Sequence, residues 1–117
     1  MATFTNLQLG YDSVTGTGEP IQVAGTTAGA ATTLHTITDG TEAVVTITAT
    51  NYNTTDEELV IQIGGTTDGD KASVTTIVGA STRVVLNRHP LKASGSNLVI
   101  EAFSTTTNQV NVLVEVK

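Results

Sequence analysis

Few residues in this chain have the type and spacing that chemistry needs. Two histidines, His35 and His89, lie about half the chain apart, and neither belongs to a His-x-His pair. With no cysteine present, zinc or copper lacks the local ligand spacing it requires, so no metal ligand is assigned. Asp68-Gly69-Asp70 opens like a calcium loop, and Asp56-Glu57-Glu58 supplies more carboxylates. A calcium loop also needs a bidentate glutamate at fixed spacing, and the residues after Asp70 are Lys-Ala-Ser-Val-Thr-Thr-Ile. A solvated turn is therefore the expectation for Asp68 and Asp70. Glycines precede Lys71 as in a phosphate loop, but Asp70 stands directly before that lysine and a strand pattern follows it. No Gly-x-Ser-x-Gly elbow raises a serine, and the run Asp56–Glu58 reads as solvated surface. Asn53-Thr54-Thr55 fits a glycosylation acceptor and is read as loop chemistry. The expectation is a protein with no catalytic residues, no cofactor and no metal.

The elements around these residues are strands. Thr (24 residues) and Val (14) dominate the 117-residue chain, and both are stiff at χ1 and favour pleated backbone. Val45, Ile47 and Ala49 alternate with polar residues, as do Leu59, Ile61 and Ile63. Period-two alternation around turn residues specifies antiparallel sheet with one buried face. The spacing predicts strands over Thr33–Ile37, Ala43–Asn51, Glu58–Ile63, Ala72–Val78, Thr82–Leu86, Leu98–Phe103 and Gln109–Val116. The last strand puts Val110, Val112, Val114 and Val116 on one face, with Asn111, Leu113 and Glu115 opposite. A strand that apolar is expected at the centre of a sheet, or paired with another subunit at an edge. Residues Asn87–Ala93 are expected to make at most one turn, because Pro90 interrupts them. The fold class is an all-β antiparallel sandwich of about seven to eight strands, Ig-like or jelly-roll-like.

Residues 1–30 differ from residues 31–117, which carry the sandwich. Two short strands, Thr3–Leu9 and Ile21–Ala24, sit among turn-rich and small residues. Ile21–Ala24 is read as an ordinary first strand pair of the sandwich, while residues 1–30 as a whole are expected to form an N-terminal arm or edge hairpin ordered by contact, the arm taking the first twenty residues. Its apolar side chains, Phe4, Leu7, Leu9, Ile21 and Val23, are the expected interface residues.

Composition narrows the partners. The formal charge is -6 and only 14% of residues are charged, so the polarity comes from Thr, Asn, Ser and Gly. Nucleic acid calls for a basic face, which this balance does not provide. Lys71, Arg83, Arg88 and Lys92 fall in the second half and Lys117 is last. They form either a small positive edge for an acidic partner or ordinary solvated surface. The N-terminus has no basic segment followed by an apolar one, and no apolar run is long enough for a membrane span. A soluble protein made in a cytoplasm, with no membrane partner, is the expectation. Aromatics are 3% of the chain, so the core must be thin. Part of the stability is expected from neighbours in an assembly.

The chain from Leu34 onward resembles small virion proteins of tailed bacteriophages. The resemblance rests on Leu34, Thr36 and Ile37, then Gly40, Thr41, Ala43, Val45, Ile47 and Asn51, then Leu59, Ile61 and Ile63. It continues through Leu91, Leu98–Phe103, the Ser104–Asn108 turn and Val110–Val116. Where that pattern often has Gly-Asp, this chain has Gly95, Ser96 and Asn97. The resemblance implies a β-sandwich capsid decoration (cement) subunit. Such a subunit, a homotrimer, assembles in the host cytoplasm and binds the major capsid protein on the outer surface of the virion. A tail, neck or head-fibre subunit with a host-attachment role is the alternative it leaves open.

Overall fold

Alternating Thr and Val build two stacked antiparallel sheets. The structure, a computed structural model, describes residues 19–117. Eight strands appear: β1 (Ile21–Gln22), β2 (Thr32–Ile37), β3 (Glu42–Asn51), β4 (Glu57–Ile63), β5 (Lys71–Ile77), β6 (Ser81–Lys92), β7 (Leu98–Ser104) and β8 (Val110–Val116). One sheet runs β1-β8-β3-β6 and the other β2-β7-β4-β5. Only β4 and β5 are neighbours both in sequence and in a sheet; every other connection crosses between layers. Of the two sandwich classes expected, this order is the eight-stranded jelly roll. Among the described residues the only helical pieces are two 3-10 turns, Ala28–Ala30 and Asp68–Asp70.

The core is where the inward faces meet. Val45, Ile47 and Ala49 of β3 lie opposite Val116, Val114 and Val112 of β8. In the second sheet Ile61 faces Ala102, and Ile63 faces Ile100. Nearly all of these side chains are fully buried, and each buried Val, Leu or Ile contributes roughly 1.5–3 kcal/mol. The Val-rich β8 lies between β1 and β3, the central position expected for it.

Strand β4 is buried on both faces, since Val60 and Gln62 are shielded as well as Leu59 and Ile61. Gln62 Nε2 donates to the Ala28 carbonyl at 2.9 Å, so the small-residue segment after β1 lies over the outside of the second sheet. That segment packs against itself so closely that a Cβ on Gly25 would fall 2.2 Å from the Ala30 carbonyl oxygen. Only glycine allows this approach.

One expectation changes. Strand β6 does not stop at Leu86 but runs through Pro90 to Lys92. It stays paired with β3 through two register shifts, and Arg88 adopts φ 50. Val44 exchanges both backbone hydrogen bonds with Lys117. Its cross-strand neighbour Pro90 must therefore turn its nitrogen away from β3, toward the free edge of the sheet. A proline at that place removes no ladder bond. In the N-terminal region Ile21–Gln22 pairs with β8 as a strand of the sandwich, and Val23 is fully buried in the core. The described part of residues 1–30 is thus continuous with the sandwich.

Candidate interaction surface

The outward face of the β1-β8-β3-β6 sheet is the least ordinary surface among the described residues. Odd-numbered residues of β3 point to the core, which turns Val44, Thr46, Thr48 and Thr50 outward. Register places Thr48 beside Val84 of β6 and beside Leu113 of β8. A row Val84–Thr48–Leu113 therefore crosses three strands, with Val84 51% and Leu113 46% exposed. Thr50 and Thr82 join their hydroxyls at 2.9 Å, which keeps this part of the face uncharged and flat. Such a surface can be desolvated cheaply, because threonine methyls and valines carry no ionic hydration to remove.

The two ends of the face differ. At one end Gln22 Nε2 donates to the Tyr52 hydroxyl at 2.6 Å, and that hydroxyl contacts the Asn108 carbonyl. At the other, Val44 forms the floor of two adjoining hollows. Glu42, Pro90, Leu91 and Lys92 wall the first; Thr46, Asn87, Arg88 and Glu115 wall the second; Lys117 borders both.

The sequence-assigned residues go elsewhere. Phe4, Leu7 and Leu9, with the predicted strand Thr3–Leu9, lie outside the described residues. Ile21 packs half-buried against the core, and Val23 presents no side chain to a partner because the domain itself encloses it. His35 and His89 stand on strands of different sheets. Asp68 pairs with Lys71 at 2.9 Å. The Asp70 carboxylate accepts from the Thr67 hydroxyl and the Thr67 amide. These two bonds, the hydroxyl first, hold the Asp70 carboxyl below its ordinary range. Asp56 accepts from the Gly79 amide and the buried Glu57 from the Thr106 amide, so both tie loops together. Asn53 of the sequon donates to the Thr55 hydroxyl. No group of three or more His, Asp or Glu that could hold a metal occurs among the described residues. No helix among them is long and apolar enough to cross a membrane.

Leu113 and Val84 carry no individual signal in the sequence, since single apolar residues on a polar strand face are common. Only the sheet register shows them sharing a row. Compared with known proteins, the chain matches no protein family, no curated protein and no solved structure.

Proposed function

We propose that this protein is a structural subunit of a bacteriophage virion, a capsid decoration protein that binds the outer shell and bridges major capsid subunits. The observation that carries this reading is the outward face of the β1-β8-β3-β6 sheet, charge-poor along its middle, with Val84 and Leu113 half exposed. Surfaces of this kind suit broad, shape-driven contact. The jelly roll itself is an architecture used by viral capsid domains and also by lectins and cupins, so it lends support by analogy alone. Bridging stiffens a shell because an opening fluctuation must then break the added interface as well. In this reading the chain works as a homotrimer, and its role is assembly, not catalysis.

Purified protein mixed with undecorated, expanded capsids should bind at a fixed stoichiometry by co-sedimentation, and saturation should raise the temperature at which the capsids open. Absence of binding retires the proposal. Light scattering on the free protein should give the mass of a trimer; a strict monomer at high concentration removes that part of it.

A further inference from the structure

We propose that the two adjoining hollows that share Val44 are together the docking site for an extended acidic segment of a partner protein, with an apolar side chain seated on Val44 and carboxylates beside Arg88 in one hollow and Lys92 in the other. The first argument is the distribution of positive charge. The chain has five basic residues against eleven acidic ones, and three of the five, Arg88, Lys92 and Lys117, border this one region, together with the two carboxylates Glu42 and Glu115. The other two serve the fold. Lys71 pairs with Asp68 at 2.9 Å, and the Arg83 guanidinium donates to the Thr76 carbonyl at 3.3 Å. Lys117 reaches Glu115 only at 3.9 Å, while Arg88 and Lys92 make no ion pair among the described residues. In a protein of net charge -6, three cations against Glu42 and Glu115 leave this region with one positive side chain in excess, a local complement to an anion.

The second argument is backbone geometry. Arg88 holds φ 50, a region that non-glycine residues enter at a cost, and it does so where β6 slips register against β3. Bulges of this kind re-aim a side chain out of the regular alternation. The Arg88 amide donates to Thr46 Oγ1 at 3.0 Å, which ties the slipped segment to the sheet beneath it.

The third argument concerns what lies between the charges. Val44 is 37% exposed and Pro90 stands beside it, so the floor is apolar. A phosphate or a nucleic-acid backbone would leave this floor unfilled, and the overall negative charge opposes nucleic acid. An acidic peptide with apolar side chains satisfies both features.

The inference deepens the proposed role and rests on it only for where the partner is found. It is tested with the full chain and a fluorescein-labelled peptide of alternating Asp and Leu, read by anisotropy. Saturable binding is expected, weakening severalfold between about 50 and 200 mM salt. The double substitution Arg88→Gly with Lys92→Ala should weaken it at least about tenfold, the equivalent of one charge-assisted contact. Glycine suits φ 50, so loss of folding does not explain the result, and an unchanged thermal melt confirms it. Lys71→Ala should bind as the parent does. The inference is overturned by absence of saturable binding, by an undiminished affinity in the double variant, or by millimolar inorganic phosphate displacing the peptide fully. If the peptide binds but capsids do not, the decoration role falls and the docking site stands. If capsids take up the double variant at full stoichiometry, the role stands and this site does not.

Discussion

Asn51 has no exposed surface, yet it is polar and ends the longest core strand of its sheet. Its Nδ2 donates to the carbonyls of Thr55 and Ile77, both at 2.9 Å, and its Oδ1 accepts from the Asn53 amide at 2.9 Å. Ile77 closes β5 of the opposite sheet, so one amide fastens the two layers and the loop between them. Asn51→Ala would strand the buried Ile77 carbonyl and free the loop. A loss of about 3 kcal/mol is expected, the upper end for a buried group left without its partner. Urea denaturation should register it as a lower midpoint with an unchanged slope. Asp70 gives a different kind of prediction. Its carboxyl is held below the ordinary aspartate range, near 3.9, by the Thr67 hydroxyl and then the Thr67 amide. A depressed folded value means the contribution is present above that range and is lost as pH falls through the folded value. The group sits at the surface, so the effect is confined to its own turn. The Thr67 amide resonance should therefore move on acidification below about pH 4, and Asp70→Asn should abolish that titration.

At the scale of elements, the turns carry the tightest constraints. The β5–β6 turn lies so close to the β3–β4 loop that a Cβ on Gly79 would sit 2.4 Å from the Thr54 carbonyl oxygen. The clash is with a backbone carbonyl, which cannot rotate away, and the Gly79 amide is tied in addition to the Asp56 carboxylate. Gly79→Ala should cost about 1–3 kcal/mol, the usual range for overpacking, and lower the melting temperature by several degrees. Strand β6 shows what alternation alone reveals and what it hides. Strands such as β3 and β8 were legible because each buries one face, so period two is written into the residues. The second half of β6 is an edge, exposed nearly throughout, and no apolar period marks it. Pro90 reads as a breaker unless one knows which way its nitrogen points, and that depends on Val44 pairing with Lys117. The cover on Gln62 was equally illegible, since it comes from a backbone carbonyl of Ala28 and not from a side chain. The candidate face fared no better: Thr48 is on a visibly polar side of β3, but its neighbours Val84 and Leu113 are fixed by register alone. Pro90 also blunts the edge. Pro90→Val would restore an outward N–H on an exposed strand, and concentration-dependent self-association by light scattering is the expected consequence.

The described residues form an elongated slab, 47 × 28 × 20 Å, with two broad outward faces. They are not equivalent. The β2-β7-β4-β5 face is partly covered by the chain itself through Ala28 and Gln62, leaving Val74 exposed near one edge. The β1-β8-β3-β6 face keeps Val44, Val84 and Leu113 open across its width. If assembly uses the second face, Val84→Asp and Leu113→Asp should leave the isolated fold within about 0.5 kcal/mol of the parent, because neither side chain is buried in it. The same changes place a carboxylate where a partner must exclude water, in a chain whose net charge is already -6. Central interface residues of this kind are worth about 2 kcal/mol or more, which is roughly thirtyfold in affinity. Trimer formation and capsid binding should fall together in both variants, whereas Val74→Asp should alter neither. Full assembly by the Val84 and Leu113 variants would assign the contact to another surface, and failure of Val74→Asp would point to the opposite sheet. The comparison discriminates because all three side chains are about half exposed, so a shared effect of added charge on folding or solubility would appear in all three alike.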